Sequence, residues 1–101
     1  MIKRIVKMKF KREKIEEFKK IFFESKAKIL QFNGCHHVEL LHDCYDETII
    51  CTMSLWDNDQ CLQDYRNSDF FKVTWSKTKK LFEARAEANS YNIVEEPTYL
   101  N

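Results

Sequence analysis

The sequence predicts one α+β domain with the element order βαββααβ and an antiparallel sheet over residues 1–95, followed by a C-terminal tail, residues 96–101. The first observation is length, because 101 residues fit a single domain. The second is composition: 44% hydrophobic and 33% charged residues are typical of a globular protein, and a single Gly and a single Pro leave few breaks between regular elements. The third is the spacing of apolar residues, which is every second position in some segments and every third or fourth position in others.

Two apolar periods define the first strand and the first helix. Residues 2–10 alternate between apolar and polar side chains, which predicts a strand. The apolar set on one face of this strand is Val6, Met8 and Phe10. Residues 12–32 carry apolar side chains three or four positions apart, which predicts an amphipathic helix. Gly34 follows as a helix-stop signal, because Gly tolerates the left-handed conformation.

The next segments predict a hairpin and then two helices and a strand. Residues 35–42 and 48–56 are apolar and β-branched runs joined by a short polar loop, which is typical of an antiparallel hairpin. The segment 57–59 supplies N-cap side chains for a short helix that runs to Ser68. The second helix is predicted over 70–82 and the last strand over 86–94, and the second helix begins at a cap formed by Ser68.

Both faces of the predicted sheet carry apolar residues. In the strand 48–56 the two faces are Ile49, Cys51, Met53 and Leu55 on one side, and Ile50, Thr52, Ser54 and Trp56 on the other. Right-handed crossovers place all helices on one side of the sheet, so the other apolar face has no cover within the chain. Leaving it in water costs about 25 cal/mol per Å². We therefore expect a homodimer formed through the sheet face.

Charge, cysteine content and the lack of long apolar runs indicate which partners and which cellular location to expect. Residues 1–28 hold eleven Lys or Arg against four acids, which we interpret as a solvated basic face. A sequence-reading RNA module would expose sheet aromatics in a Gly-containing signature that this chain lacks, so no nucleic-acid partner is expected. Neither a signal-peptide stretch nor a membrane-spanning run is apparent, and we expect a cytoplasmic protein with reduced cysteines and no membrane partner.

A metal site is not predicted. Cys35, His37, His42 and Cys44 follow no zinc-binding spacing. Simple alternation along the strand places Cys35 and His37 on one face and His42 and Cys44 on the other. A straight strand therefore presents no set of four ligands to one ion.

The pattern of residues in the second half of the chain, together with the start of the second strand, resembles the antibiotic biosynthesis monooxygenase superfamily. These residues are the strand 51–56 that ends in Trp56, the short-helix residue Leu62, the junction 65–71, Trp75, and Gly34 with Cys35. The resemblance covers residues 1–95 and implies a ferredoxin-like protomer in a dimeric α+β barrel, with a pocket between sheet and helices. It implies an activity among those of the members, which include cofactorless monooxygenases acting on quinols or anthrones, haem-degrading enzymes, and isomerases.

The haem-degrading members of this superfamily have residues that the present sequence lacks. When the junctions are matched, their His ligand falls on Trp75 and their short-helix Trp falls on Tyr65. The first strand also lacks their Asn. Because an indole does not ligate iron as imidazole does, the sequence predicts no haem and no other cofactor.

Cofactor-free oxidation by O2 requires a base, hydrogen-bond donors and an apolar cavity. The candidates are His37, Tyr65 and Arg66 as catalytic residues, and Glu39, Trp56, Phe71 and Trp75 as residues of the substrate pocket. His36 and His42 are alternative bases, and Glu39 becomes one if burial raises its pKa. The substrate expected is a small aromatic or quinol-like molecule. The alternatives are that these aromatics only fill the core, and that the protein is a non-catalytic dimer that binds a small ligand.

Overall fold

A computed structural model describes residues 1–97, and residues 98–101 of the predicted tail lie outside this part of the chain. The elements are β1 (Ile2–Phe10), a 3₁₀ turn (Arg12–Lys14), α1 (Ile15–Leu30), β2 (Cys35–His42), β3 (Ile49–Trp56), α2 (Asp59–Arg66), α3 (Asp69–Lys79) and β4 (Phe82–Asn92). This order confirms the predicted α+β fold. Over residues 1–97, no helix combines the length and apolar character needed to cross a membrane.

The four strands form one antiparallel sheet in the order β2-β3-β1-β4. The pairing sets Met8 opposite Ile50, and both side chains are buried under the helices. Because side chains alternate along a strand, Ile5 and its partner Met53 point to the opposite face. The sheet therefore has one face covered by helices and one face on which no element of residues 1–97 packs.

The core lies between the covered face and α1. Its most buried strand residues are Phe10, Met8 and Ile50, and α1 adds Phe18, Phe22 and Ile29. A second buried cluster consists of Trp56 with Cys61 and Leu62 of α2. Phe10 stacks on Phe18 with ring centroids 4.3 Å apart, which ties the end of β1 to the first turn of α1. Each such side chain contributes about 1.5–3 kcal/mol on burial.

Local hydrogen bonds fix the starts of α2 and α3 where the sequence predicted them. The Asn58 side chain accepts from the backbone N–H of Cys61, and the Ser68 hydroxyl accepts from that of Phe71. Each cap stabilises its helix by about 1 kcal/mol. Gly34 follows α1 with φ +81°, the left-handed conformation expected of the stop signal.

The boundary between the last helix and the last strand was predicted wrongly. α3 ends at Lys79, and β4 begins at Phe82 instead of at residue 86. Phe82 continues the apolar stripe of the helix in sequence, but it pairs with Phe10 across the sheet, and the two rings lie 5.3 Å apart. The contact with a distant strand therefore outweighs the local helical pattern.

A register shift at the start of β2 changes the predicted faces. Cys35 pairs with Trp56, whereas His37 pairs with the next residue of β3, Leu55. The extra residue between them places Cys35 toward the core and His37 on the uncovered face, so these two do not share a face as predicted.

The uncovered face carries an apolar set, namely Ile5, Leu41, Cys51, Met53, Leu55 and Tyr91. Its polar and charged side chains are His37, Glu39, Lys3, Lys7, Glu87 and Asn89. Leu41 and Tyr91 are 45% and 53% exposed, which is high for large side chains in a sheet. The apolar second face predicted from the sequence is thus present.

Candidate functional site

A cavity of about 180 Å³ lies between the covered sheet face and the three helices. The sheet supplies its floor through residues of β1, β3 and β4, and α1 forms one wall. The end of α2 and one side of α3 form the opposite wall. Most of the lining is apolar, so water gains few hydrogen bonds there and an apolar ligand is favoured.

Four aromatic rings follow one another along the wall formed by β3, α2 and α3. Trp56 stacks on Tyr65 with centroids 5.1 Å apart, and Tyr65 meets the edge of Phe71 at 5.1 Å. Phe71 in turn stacks on Trp75 at 5.9 Å with an interplanar angle of 11°. Trp75 follows Phe71 by one helical turn, which is why the two rings lie parallel. We call these four residues the aromatic wall.

The polar part of the floor is a row of side chains across the sheet. Arg4 of β1 lies opposite Ser54 of β3 on one side and opposite Ser90 of β4 on the other. Arg4 Nη1 donates to Ser90 Oγ at 3.1 Å, and Trp56 Nε1 donates to Ser54 Oγ at 2.9 Å. The second bond satisfies the buried indole and fixes the orientation of the Trp56 ring.

Arg4 and Tyr65 have pKa values displaced from their ordinary ranges. Burial raises the pKa of the Tyr65 hydroxyl, with a smaller contribution from Cys35, so Tyr65 stays protonated and acts as a donor. Burial, followed by the charge of Arg66, lowers the pKa of Arg4, while Asp59 raises it. The two guanidinium groups therefore repel each other beside the cavity.

Five of the seven predicted site residues line this cavity: Trp56, Tyr65, Arg66, Phe71 and Trp75. His37 and Glu39 do not, because they lie together on the uncovered sheet face, with His37 Nε2 3.6 Å from Glu39 Oε1. Glu39 is thus not among the described residues that line this cavity. Among the described residues that line it, none is His, Asp, Glu or Lys.

Arg4 is the lining residue that the sequence interpretation missed. The alternation that assigns Val6, Met8 and Phe10 to one face extends back by two residues to Arg4. Because Arg4 shares a strand face with these three apolar residues, its side chain is expected on the covered side of the sheet. The sequence interpretation instead assigned all basic residues of the N-terminal segment to a solvated face.

The remaining histidines also lie away from the cavity. His36 Nε2 is 2.5 Å from Asp57 Oδ1, at the edge where β2 begins and β3 ends. His42 Nδ1 lies 3.3 Å from the Asp43 carbonyl oxygen at the other end of β2. In the part of the chain described, no three His, Cys, Asp or Glu side chains converge as metal ligands.

The size of the cavity restricts what it holds. An apolar cavity of about 150 Å³ in another protein binds benzene, so about 180 Å³ admits a substituted single ring. Haem is much larger, and no histidine is among the described lining residues. The cavity thus has the volume of a single-ring ligand.

Comparison with known proteins gives one family and many similar folds. The sequence model described as "Antibiotic biosynthesis monooxygenase" matches residues 1–75. A search of curated proteins finds no match.

Solved structures with the same fold are distant in sequence. A conserved protein from Methanosarcina mazei is 22% identical, with 89% of each chain covered and a TM-score of 0.85. A structure named as an antibiotic biosynthesis monooxygenase is 18% identical over 94% of this chain and 100% of its own, with a TM-score of 0.85. A Caulobacter crescentus protein is 21% identical over 93% and 90% of the two chains, with a TM-score of 0.86. At these identities the likeness shows the shared fold.

Proposed function

Because the chain belongs to the antibiotic biosynthesis monooxygenase family, we propose that it oxidises a small aromatic or quinol-like substrate with O2 in the cavity between sheet and helices. The observation that carries the proposal is the aromatic wall, which offers flat apolar surfaces to one ring. Such a wall also keeps water from the reacting carbon, which protects a peroxide or radical intermediate.

The reaction takes its electrons from the substrate. A phenolate or enolate gives one electron to O2, and the radical pair then joins through a new carbon–oxygen bond to form a hydroperoxide. Loss of water breaks the O–O bond and leaves one oxygen on the ring as a carbonyl. For hydroquinone the products are hydroxyquinone and water, so the substrate supplies all the electrons and no second reductant enters the balance.

Two lining residues have the right chemistry to stabilise the substrate oxygen. Arg66, at the C-terminal end of α2, is a permanent cation beside the cavity. Tyr65 keeps its proton because its pKa is raised, and its hydroxyl donates to a phenolate oxygen. Such donors stabilise charge that develops during the reaction, with effects of about 100-fold or more on rate when one is removed.

The proposal is tested with a panel of hydroquinones under air and under argon, with oxygen-18 gas to follow the oxygen atom. We expect O2-dependent product that carries one labelled oxygen. Tyr65→Phe retains the ring of the aromatic wall and should slow turnover by about 100-fold, because only the donor is lost.

Tyr45→Phe is the matched control, since it removes the same hydroxyl from a side chain that is 99% exposed. We expect it to keep wild-type turnover, and His37→Ala tests the histidine on the uncovered face. Turnover that survives in Tyr65→Phe but is lost in His37→Ala would move the reaction out of the cavity. The absence of any O2-dependent product across the panel would overturn the proposed activity.

We also propose that a second copy of the chain covers the uncovered sheet face. Met53 lies near the centre of this face, between Ile5 on one neighbouring strand and Glu39 on the other. Exposed Leu41 and Tyr91 extend the apolar area toward the two sheet edges. A homodimer removes this area from water at about 25 cal/mol per Å².

Sedimentation at micromolar concentration tests the dimer. We expect a dimeric wild type and a monomeric Met53→Glu variant, because a buried unpaired carboxylate at the interface is costly. Val73→Glu adds the same charge on α3, where Val73 is 55% exposed, and should remain dimeric. A wild-type protein that sediments as a single chain would contradict the proposal.

A second candidate function is non-catalytic binding of the same class of ligand. It is favoured by the lining itself, in which no described residue is an ordinary general base. Thermal-shift measurements with the hydroquinone panel distinguish the two functions. Stabilisation by a compound that is recovered unchanged under air would support binding alone.

A further inference from the structure

We propose that Arg4 and Arg66 together hold an acidic oxygen, so that the natural ligand of the cavity is an anion with a small apolar body. Its chemical class is an ionised phenol, enol or carboxylic acid on one substituted ring. The inference rests on the proposed function only in taking this cavity as the ligand site. We call Arg4 and Arg66 the arginine pair.

Neither member of the arginine pair forms a salt bridge with a carboxylate in the described part of the chain. Within residues 1–97, no Asp or Glu oxygen comes within 4.0 Å of either guanidinium group. Arg4 donates to the Ser90 hydroxyl, and Arg66 Nη1 donates to Gln63 Oε1 at 3.2 Å. Each guanidinium carries five N–H donors, so most of them stay free for a ligand.

Placing two cations beside an apolar cavity costs free energy, and the charge of Asp59 offsets only part of this cost. Both the partial burial of Arg4 and its repulsion from Arg66 act in this direction. An anion between the two groups removes the repulsion and makes charge-assisted hydrogen bonds, which are about twice as strong as neutral ones. The ligand thus supplies the charge that the fold omits.

The cavity changes character from one end to the other. At one end lie the half-buried Arg4, the exposed Arg66 and the hydroxyl of Ser54. Toward the interior lie Met8 and Phe18, which are 2% and 3% exposed. A ligand that fits both ends has its acidic group near the opening and its ring toward the core.

The lining also favours a ligand that is already ionised. No described lining residue is a carboxylate, an imidazole or an amine that takes a proton from a neutral phenol. Two cations lower the pKa of an acidic group that binds between them, and the released proton passes to solvent at the open end. The arginine pair therefore selects the anion without a dedicated base.

Anaerobic binding titrations of the full chain test the inference, followed by calorimetry or by quenching of Trp56 and Trp75 fluorescence. Two pairs of near-isosteric probes are used: benzoate with benzamide, and para-nitrophenolate with para-nitroanisole. We expect each anion to bind at least about tenfold more tightly than its neutral counterpart. The two pairs show whether a carboxylate or a phenolate is preferred.

Arg4→Met and Arg66→Met should each weaken binding of the anions by about tenfold and change binding of the neutral probes by less than about twofold. Arg66 is exposed, so its variant remains informative if Arg4→Met does not fold. Arg12→Met removes an arginine that lies outside the cavity, next to Glu47, and should leave both affinities unchanged.

Equal affinity for the charged and neutral probes in the wild type would overturn the inference. Equal weakening of both probe types in the Arg66→Met variant would do so as well. Because these titrations require no turnover, a protein that selects anions but consumes no O2 would refute the proposed oxidation alone. A protein that turns over substrate without charge selection would refute only the role of the arginine pair.

Discussion

The turn between α1 and β2 gives the sharpest test of the packing described above. Gly34 has φ +81°, and a Cβ built at this position lies 2.6 Å from Cys61 Sγ and 2.8 Å from Cys61 Cβ. We consider the substitution Gly34→Ala. It forces an L-residue into the left-handed region and presses a methyl group against the first turn of α2.

The cost has two parts. The left-handed conformation costs an L-residue about 1–2 kcal/mol. Overpacking of a well-filled site costs about 1–3 kcal/mol, and here the Cβ of Cys61 belongs to the helix and cannot rotate away. We therefore expect Gly34→Ala to lower the free energy of unfolding by about 2–5 kcal/mol. Because α2 carries Tyr65 and Arg66, its displacement should also weaken ligand binding.

Urea unfolding followed by circular dichroism measures the stability, and a double-mutant cycle with Cys61→Ala isolates the part of the overpacking that is due to Cys61 Sγ. Cys61→Ala removes this closer contact, so the second substitution should recover about 0.5–3 kcal/mol of the loss. The conformational part and the contact with the Cβ at position 61 should remain. A Gly34→Ala protein within about 0.5 kcal/mol of wild type would refute the reasoning, because that is the range of a neutral surface change.

Three further predictions concern single side chains. Trp56→Phe should destabilise the fold by about 2–3 kcal/mol in thermal unfolding, since it removes part of a fully buried side chain and its hydrogen bond to Ser54; a loss below about 0.5 kcal/mol would contradict this packing. Tyr65→Phe should leave the unfolding free energy within about 0.5 kcal/mol, because the ring stays in the aromatic wall; a large loss would show that the hydroxyl is structural. The Asp46 carboxylate, which accepts from the hydroxyl and N–H of Thr48, has a pKa lowered to about 2 and should titrate there by NMR. Since its folded pKa lies below the ordinary aspartate value of 3.8, its stabilising effect is present above that value and is lost as the pH falls toward 2. The stability that Asp46→Ala loses at neutral pH should therefore shrink in acid, and a titration near 3.8 would contradict the cause assigned.

The elements that depend on local patterns could be predicted from the sequence. β1 and β2 have the predicted bounds, because alternation over eight or nine residues specifies a strand without reference to its partner. The caps Asn58 and Ser68 act within their own first turns, so residue type alone indicates them. The start of β4 could not be predicted in this way, because it depends on pairing with β1, a strand far away in sequence.

Whether a candidate residue lines the cavity depends on residue type for the aromatic side chains and on the choice of sheet face for the strand residues. The aromatic residues of the wall are large and lie on elements that must pack on the sheet, so the sequence identified them. His37 and Glu39 were correctly placed on a common face of β2, but that face lies away from the cavity. Arg4 was missed because a basic strand residue was taken to be solvated.

The sequence by itself determined the order of strands and helices, the family resemblance and the existence of an apolar second face, because these follow from periodicity and residue type along a short stretch. Only the tertiary structure decided which face the helices cover, and hence that Arg4 and Arg66 meet at one cavity while His37 lies outside it. The physical reason is that both sides of β3 are apolar enough to be buried. Contacts between sheet and helices, such as Trp56 on Tyr65 and Phe10 on Phe18, place the helices on one side and close the cavity.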